Sequence, residues 1–258
     1  MSDFQPWIER WGLTPDGEPF VTPYAGSRLL PVRQGDRLLM LKLALSEDER
    51  RGSTIMAWWN GQGAAPVVAH EAEALLMVRA AGERDLGQAP DQVAIPLLCA
   101  AVDALHAPRL DPPAMPPLRS LFAALRDSSE PRLEGPWRVA SDLLDDPREE
   151  ALLHGDIHHF NVLDFGAAGW LAIDPWGFRG ERAYDYANIL RNPDPARVTQ
   201  PGRFDAGRAL IAEHARLDPE RLLRWIYAHA GLAAAWELAD GHDPVRSMAV
   251  LALAEARL

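Results

Sequence analysis

The sequence predicts an α+β fold with an antiparallel sheet in its N-terminal part and mainly helices in its C-terminal part. Before residue 80, apolar runs of strand length are separated by short turns, which is the pattern of antiparallel hairpins. After residue 80, leucine and alanine dominate. Residues 219–239 predict a helix, because a proline stands at their start and Gly241 lies just past their end.

The composition is that of an ordinary globular protein and limits the classes of function. The chain has 258 residues, of which 48% are apolar and 24% charged, so collagen-like and wholly disordered folds are excluded. No run has the ~20 apolar residues of a membrane-spanning helix, and the N-terminal residues lack the pattern of a secretory signal. We therefore expect no membrane partner.

Charge and cysteine content indicate a cytoplasmic protein that does not bind nucleic acid. The net charge is -11, and no basic cluster with interleaved aromatic residues is present, which argues against a broad phosphate-binding face. The single cysteine, Cys99, cannot form an internal disulfide, and its apolar, helical surroundings predict a small buried side chain. A reducing cytoplasm fits this content.

Lys42 is the only lysine of the chain, since every other basic residue is arginine. It lies within RLLMLKLAL, residues 37–45, where apolar neighbours predict a strand covered on both faces. The turn at residues 34–36 joins this strand to RLLPVR in a hairpin. A buried lysine needs a partner charge, and its compact ammonium suits a phosphate. A lysine at a sheet edge that reaches solvent is the alternative.

Two features of the sequence near Lys42 concern its partners. Ser46 and Glu49 form a capping-box pattern that predicts a helix to about residue 59. Glu49 either only caps this helix or also pairs with Lys42, and we prefer it to the neighbouring acids for that role. Upstream, a turn that contains Gly26 and Ser27 has backbone amides that can lie over an anion.

The segment of residues 151–175 holds a dense group of His, Asp and Asn. Its apolar runs VLDF and WLAI are joined by four residues, which predicts a hairpin. If Phe165 lies opposite Trp170, then Asn161 lies across from Asp174 on the same face. A carboxylate and an amide oxygen suit Mg²⁺, which keeps waters and takes substrate phosphates as further ligands. A slip of one residue would turn the pair to opposite faces.

Asp156 lies in the loop before this hairpin. It can orient an acceptor hydroxyl and take its proton, although most such residues only satisfy backbone turns. We expect His154 to brace the loop and His158 to approach the transferred phosphate. The histidines also suggest a zinc hydrolase, but no HExxH pattern is present, and the adjacent His158 and His159 would point to opposite sides of an extended chain.

These residues resemble the signature of the aminoglycoside phosphotransferases, which are relatives of the protein kinases. The signature here is His154-Gly155-Asp156, followed by Asn161 and by Asp174 on the hairpin. In addition, the string LAIDPWGFRGERAYDYANILRNP is similar to the branch that contains streptomycin 6-kinases and hydroxyurea phosphotransferases. The likeness spans nearly the whole chain.

The resemblance implies a two-lobed protein-kinase-like fold that binds ATP between the lobes. The N-terminal nucleotide-binding lobe would comprise residues 1–80, and the C-terminal helical lobe would comprise residues 81–258. By position, the resemblance implies the following roles: Asp156 as catalytic base, Asn161 and Asp174 as Mg²⁺ ligands, and Lys42 as the ligand of the α- and β-phosphates.

The resemblance also implies an adenine site and a support for the catalytic loop. The strand of residues 74–77, which ends at Met77, would enter the hinge, so that the backbones of Val78 and Ala80 meet adenine. Asp185 resembles the family's buried aspartate that holds the catalytic loop through its backbone, and we expect a structural role for it.

The acceptor side is defined less well by the sequence. Phe160 stands where this branch commonly has a small residue, and Trp176 stands where the aminoglycoside-directed members commonly have lysine. Both would reshape the acceptor pocket. The acceptor-side residues that we name on the helix of residues 219–239 and at its end are Trp225, Trp236, Glu237 and Asp240, although large aromatics at helical spacing are more often core.

The function expected from the sequence is an ATP- and Mg²⁺-dependent kinase of small molecules. The acceptor would be a hydroxyl of a cationic, aminoglycoside-like molecule of the streptomycin type. The alternatives are a kinase of another small metabolite, such as an amino alcohol, a sugar or hydroxyurea, and a relative that binds a nucleotide without chemistry. The zinc hydrolase is a remote alternative.

Overall fold

A computed structural model describes residues 2–21 and 27–258 of the chain. In chain order, the strands are β1 (Thr14–Pro15), β2 (Phe20–Val21), β3 (Arg28–Gln34), β4 (Arg37–Leu43), β5 (Val67–Glu71), β6 (Ala74–Val78), β7 (Glu150–Leu153), β8 (Val162–Asp164), β9 (Trp170–Ala172) and β10 (Phe178–Glu181). The helices are α1 (Gln5–Trp11), α2 (Glu47–Trp59), α3 (Asp91–Leu105), α4 (Ala123–Arg126), α5 (Glu134–Asp145), α6 (Tyr184–Ala187), α7 (Pro195–Val198), α8 (Arg203–Ala215), α9 (Pro219–Ala239) and α10 (Val245–Glu255).

An antiparallel sheet forms the N-terminal part of the fold. Its strand order is β1-β3-β4-β6-β5, and β2 also pairs with β3. The hairpin of β3 and β4 turns at Gly35, whose φ of 61° lies in the left-handed region that glycine adopts without steric cost. This hairpin confirms the prediction from the two apolar runs. The predicted turn that contains Gly26 lies outside the described residues.

Helix α2 connects β4 to β5 of the same sheet. The Ser46 hydroxyl accepts a hydrogen bond from the Glu49 backbone N–H at 3.2 Å, so the predicted N-terminal cap is confirmed. The helix ends at Trp59, where Asn60 adopts a left-handed conformation.

Helices make up most of the chain after β6. The long helix α9 spans Pro219–Ala239, as the sequence predicts, and it packs against α5, α8 and α10. Two short hairpin-like sheets, β7 with β10 and β8 with β9, accompany these helices. Cys99 is buried in α3, as expected. The α+β prediction is therefore confirmed.

The hydrophobic core has two clusters. The smaller one joins Phe4 and Ile8 to one face of the N-terminal sheet, including Leu30 and Leu41. The larger one joins buried residues of α2 and β6 to the C-terminal helices. The chain therefore packs continuously across residue 80, and the division into lobes at that residue stays a prediction.

The pairing of β8 with β9 corrects the predicted register by one residue. Asp164 lies opposite Trp170, and Val162 lies opposite Ala172. Phe165, which was predicted to face Trp170, instead donates its N–H to Gly169 O at 2.8 Å and belongs to the connection. The turn thus takes one residue more than the four that were assigned to it.

No helix in the described ranges, 2–21 and 27–258, is long and apolar enough to cross a membrane.

Candidate functional site

Lys42 lies at the centre of a buried group of charges. It is only 4% exposed on β4, and its Nζ is 2.6 Å from Glu49 Oε2 on α2. The same ammonium donates a hydrogen bond to Asp174 Oδ1. Burial lowers the pKa of Lys42, but the two carboxylates outweigh it and the net pKa is raised. Lys42 therefore stays charged, and Glu49 both caps its helix and pairs with Lys42.

The position of Asp174 depends on the backbone after β9. Ala65 N donates to Ala172 O at 2.9 Å, which ties the segment after α2 to the end of β9. Asp174 itself has a φ of 59°, so the alternation of an extended strand does not continue through it. The Asp174 carboxylate reaches Lys42 because its backbone turns into the left-handed region, and not because of the predicted strand register.

Asn161 and Asp174 nevertheless end on neighbouring parts of the hairpin. Asn161 O accepts the N–H of Ile173 at 2.9 Å, and Asp174 is the next residue. The Asn161 amide nitrogen bonds to Asp156 O at 2.9 Å, which leaves the amide oxygen as a ligand. The donor set of one amide oxygen and one carboxylate fits a hard cation such as Mg²⁺.

Asp156 is held by side chains on both of its carboxylate oxygens. Oδ1 accepts a hydrogen bond from Asn188 Nδ2 at 2.9 Å, whereas Oδ2 lies 3.3 Å from Asn161 Nδ2 and 3.5 Å from His158 Nε2. Burial raises the pKa of Asp156, but His158, His154 and Arg191 together outweigh it, so the net pKa lies below its usual value. The carboxylate is ionised at neutral pH.

His154 and Asp185 fix the backbone on which Asp156 is mounted. The two oxygens of Asp185 accept the N–H groups of His154 and Gly155, each at 2.8 Å. The His154 ring accepts the N–H of Asp156 on Nδ1 and contacts Ile173 O through Nε2 at 2.8 Å. Burial lowers the pKa of His154, so its ring is neutral. The expected bracing contacts of His154 and Asp185 are present.

The predicted adenine site lies where β6 ends. Met77 is buried and pairs with Met40 of β4. The N–H of Val78 donates to Pro66 O at 2.9 Å, so it is not free for adenine. An adenine contact of Val78 would therefore use its carbonyl, with the backbone of Ala80 beside it. The roles of Met77, Val78 and Ala80 stay predictions.

Ser27 contributes a side-chain contact that the sequence did not indicate. Its hydroxyl is buried and donates to Glu49 Oε2, the oxygen that also faces Lys42. Ser27 therefore connects the end of the predicted nucleotide turn to the Lys42 pair. Gly26 lies outside the described residues.

The acceptor-side residues separate into two groups. Trp176 and Trp236 are partly buried and form an edge-to-face pair with ring centroids 5.2 Å apart. Glu237 binds Arg191 at 3.1 Å, and Asp240 is exposed at the end of α9. Trp225 is 0% exposed and packs on Phe122 and Tyr184, so the prediction that it contacts the acceptor is wrong. Its helical spacing matched a core position.

Phe160 does not join the tryptophan pair. Its ring lies edge to face with His158, at a centroid distance of 5.9 Å, and it lies so close to Gly87 that a side chain there would contact it at 2.8 Å. Gly87 belongs to the segment after β6. The ring therefore borders this segment, whereas Trp176 borders the end of α9.

The contacts of several polar residues of the site were not predicted from the sequence. Asn188 contacts Asp156, and Arg191 contacts Asn188. Both lie inside the string AYDYANILRNP that carried the resemblance, but nothing in the string indicated these contacts. Arg51 donates to Trp176 O and Gly177 O at 2.8 and 2.9 Å. Arg84 binds both oxygens of Asp164, each at 2.7 Å, and so ties the segment after β6 to β8. No sequence signal identified these last two contacts.

The zinc alternative is not supported by the described part of the chain. Within residues 2–21 and 27–258, no group of three or more His, Cys, Asp or Glu side chains is arranged to hold a metal ion. His154 uses both ring nitrogens for backbone contacts, and His159 is buried away from His158.

Comparisons with known proteins show the family to which the chain belongs. A model of the family described as aminoglycoside/hydroxyurea antibiotic resistance kinase matches residues 10–241. The chain is 49% identical to a streptomycin 3''-kinase of Klebsiella pneumoniae over 91% of this chain and 92% of that protein. It is 30% identical to a streptomycin 6-kinase of Streptomyces glaucescens, over 94% of this chain and 84% of that protein.

A solved structure shows the same fold at low sequence identity. A thermostable mutant of aminoglycoside phosphotransferase APH(4)-Ia, crystallised as a ternary complex with AMP-PNP and hygromycin B, aligns with a TM-score of 0.67. The identity is 18%, and the alignment covers 99% of this chain and 98% of that chain. The protein-kinase-like fold implied by the sequence resemblance is therefore confirmed.

Proposed function

Because this chain belongs to the aminoglycoside/hydroxyurea antibiotic resistance kinase family, we propose that it transfers the γ-phosphate of ATP to a hydroxyl of streptomycin. The observation that carries most weight is that Lys42 contacts Asp174 and Asn161 contacts Asp156. The two pairs lie together because Ile173 N, next to Asp174, donates to Asn161 O. Phosphoryl transfer depends mainly on positioning and on compensation of negative charge, and this group offers both.

In the proposed reaction, each residue of the chain has one task. Lys42 binds the phosphates of ATP with a charge that Glu49 holds in place. Asp156 accepts a hydrogen bond from the acceptor hydroxyl through a carboxylate oxygen and takes its proton as the oxygen bonds to the γ-phosphorus. The bond between the γ-phosphorus and the bridging oxygen breaks, and ADP leaves with that oxygen. The hinge after Met77 binds adenine through backbone groups, with Ser27 beside the phosphates.

We assign Asn161 and Asp174 as the residues that would hold Mg²⁺. Their amide and carboxylate oxygens have the hard character that Mg²⁺ prefers. Mg²⁺ held by these two residues would supply positive charge that compensates part of the negative charge of the phosphates. His158 lies beside Asp156, at a distance from which its Nε2–H can also face the transferred phosphate.

We place the acceptor against the end of α9, between Trp176 and Trp236 on one side and Glu237 on the other. An acidic protein with a net charge of -11 suits a cationic acceptor. The identity to the streptomycin 3''-kinase favours the 3''-hydroxyl as the site of modification. We expect the reaction to take place in the cytoplasm, and we propose no role for nucleic acid or membrane.

A screen of acceptors tests the proposal. ADP release by the purified protein is measured with Mg-ATP and one of streptomycin, hygromycin B, choline, ethanolamine, a hexose or hydroxyurea. We expect ADP release that depends on streptomycin, and a product that carries one phosphoryl group on the 3''-hydroxyl by phosphorus-proton correlation NMR. The Asp156→Ala variant is the control for contaminating kinases.

Two results would count against the proposal. If another acceptor stimulates ADP release and streptomycin does not, the protein is a kinase with a different substrate. If the protein binds ATP but no acceptor stimulates ADP release, a nucleotide-binding relative without chemistry becomes the better description.

A further inference from the structure

Asn188 makes the shortest contact between a side chain and the carboxylate of Asp156. Its Nδ2 donates to Oδ1 at 2.9 Å, whereas Asn161 and His158 lie at 3.3 Å and 3.5 Å from Oδ2. Asn188 is only 2% exposed at the end of α6. A hydrogen bond to a carboxylate from a buried, fixed donor is among the stronger ones in proteins. Oδ1 therefore carries the shortest of these contacts, and Oδ2, whose contacts with the protein are longer, is the oxygen more open to an acceptor hydroxyl.

The amide of Asn188 is fixed from its other side by Arg191. The Arg191 Nε–H donates to Asn188 Oδ1 at 3.1 Å. Because the oxygen of the amide accepts from a guanidinium, the nitrogen must face Asp156, and the amide has one orientation. Asn192 donates to the Asn188 backbone carbonyl at 3.0 Å and to its Oδ1 at 3.2 Å, which restricts the amide further.

Arg191 is in turn anchored on the two last helices. Its guanidinium donates to Glu237 Oε1 on α9 at 3.1 Å and to the hydroxyl of Ser247 on α10 at 3.4 Å. Ser247 is fully buried. A chain of contacts therefore runs from α9 and α10 through Arg191 and Asn188 to Asp156, and it does not include the nucleotide-binding residues around Lys42.

We propose that Asn188, oriented by Arg191, is a positioning residue that fixes the Asp156 carboxylate so that Oδ2 faces the acceptor hydroxyl. This inference rests on the proposed phosphoryl transfer and adds a residue to it. A base that must point at one hydroxyl gains rate from being held in one rotamer, and a displacement of about 1 Å can cost about 100-fold in rate. The contact acts on the chemical step and leaves binding of either substrate unchanged.

The Asn188→Leu variant tests this role because leucine fills a similar space and has no donor. We expect kcat for phosphorylation of streptomycin to fall about 10- to 100-fold, with KM for ATP and KM for streptomycin unchanged. Leu190→Ala is the matched control, because Leu190 is buried in the same segment and has no polar side-chain atom that could bond to Asp156 or Asn188. Thermal unfolding of both variants gives the fraction of folded protein at the assay temperature.

The control separates positioning from a general effect on folding. If Asn188→Leu keeps the kcat of the wild type, or loses no more of it than Leu190→Ala does, then Asn188 does not position the base. A rise of either KM with an unchanged kcat also contradicts the proposal. If Asn188→Leu does not fold, the smaller Asn188→Ser is measured in its place, with the same expectation because its hydroxyl is too short to reach Asp156.

The wild type separates this inference from the proposed function. A wild-type protein that phosphorylates no acceptor refutes the proposed function. A wild type that phosphorylates streptomycin, together with an Asn188→Leu variant that is equally fast, refutes only the role of Asn188.

Discussion

Lys42 forms ion pairs with two carboxylates at once, which explains why lysine stands at this position. Its ammonium donates to Glu49 and Asp174, which belong to different parts of the chain. Arginine has a planar fork that suits one carboxylate in a fixed plane, whereas an ammonium can donate in three directions. Lys42 therefore joins the sheet, α2 and the segment after β9 at a single atom.

Replacing Lys42 by methionine should destabilise the protein. The variant leaves the buried Glu49 carboxylate without its partner, and breaking a buried ion pair from one side costs about 3 kcal/mol or more. Urea unfolding at pH 7 measures the loss. Arg37→Met, which removes an exposed charge from the same strand, is the control and should have little effect.

A double variant makes the cause of this loss testable. In Lys42→Met with Glu49→Gln, the carboxylate that was left uncompensated is removed, so part of the lost stability should return. The free energy of unfolding is compared for the wild type, both single variants and the double variant. If Glu49→Gln lowers it as much in the Lys42→Met background as in the wild type, the two residues are not coupled. The ion pair then does not explain the stability.

Single residues of the site differ in how far the sequence identifies them. Lys42 is identified by its rarity in an arginine-rich chain, and Asp156 by its spacing from Asn161. Asn188 and Arg191 are common polar residues. The bond from Asn188 to Asp156 and the bond from Arg191 to Asn188 depend on how α6 and α9 pack. Trp225 was misassigned, because helical spacing alone does not distinguish a core tryptophan from one that lines a pocket.

At the scale of elements, the close approach of α2 to the segment after β9 determines the position of Glu49 relative to Lys42. A Cβ at Gly52 would lie 2.2 Å from the backbone oxygen of Pro175, the residue after Asp174. Arg51 binds the next two carbonyls of the same segment. Glu49 is carried by this helix, so the position of α2 decides whether its carboxylate reaches Lys42.

Gly52→Ala should therefore destabilise the protein, although alanine has a higher helix propensity than glycine. In a helix the change normally stabilises by about 1 kcal/mol, but here the added methyl group must push α2 away from Pro175. We expect a loss of about 1 to 3 kcal/mol in stability, and a raised KM for ATP because Glu49 and Lys42 separate. Thermal unfolding and steady-state kinetics measure the two effects.

The control for Gly52→Ala is Thr54→Ala on the exposed face of the same helix. It should leave KM for ATP unchanged. A Gly52→Ala variant that is as stable as the wild type and has its KM would show that the contact with Pro175 does not hold α2 in place.

The elements themselves were largely predictable, and their exact pairing was not. Hydrophobic patterns and helix caps identified β3, β4, α2 and α9 because these signals are local. The register of β8 with β9 was wrong by one residue, since the number of residues in a turn is not fixed by its composition. The left-handed φ of Asp174, which compensates for the register, has no sequence signal in a residue other than glycine.

At the scale of the whole molecule, the packing of the helices buries histidines and makes stability depend on pH. His229 on α9 is 3% exposed, and burial, followed by the charge of Arg191, lowers its pKa to about 3. The unfolded chain has the ordinary pKa of 6.5. Between these values the unfolded state binds a proton that the folded state does not bind. The free energy of unfolding therefore falls as pH falls from 6.5 to 3.

The His229→Gln variant should have a shallower acid dependence of stability. His229 contributes a slope of up to about 1.4 kcal/mol per pH unit in this range, and the variant lacks it. Urea unfolding from pH 7 to pH 4 measures the slope. The exposed His242→Gln is the control, and it should have the slope of the wild type. An equal slope in His229→Gln and the wild type would show that His229 is not held neutral.

In the proposed reaction, phosphoryl transfer should depend most on Asp156 as the base, and the residues around Lys42 should bind ATP independently of it. The most direct measurement is the single-turnover rate from ATP to streptomycin for wild type and Asp156→Asn, together with the Kd for ATP by calorimetry. We predict a rate that is about 100- to 10,000-fold lower in Asp156→Asn, with the Kd unchanged. A near-normal rate in this variant, or a loss of ATP binding that accounts for the slower rate, would contradict the assignment.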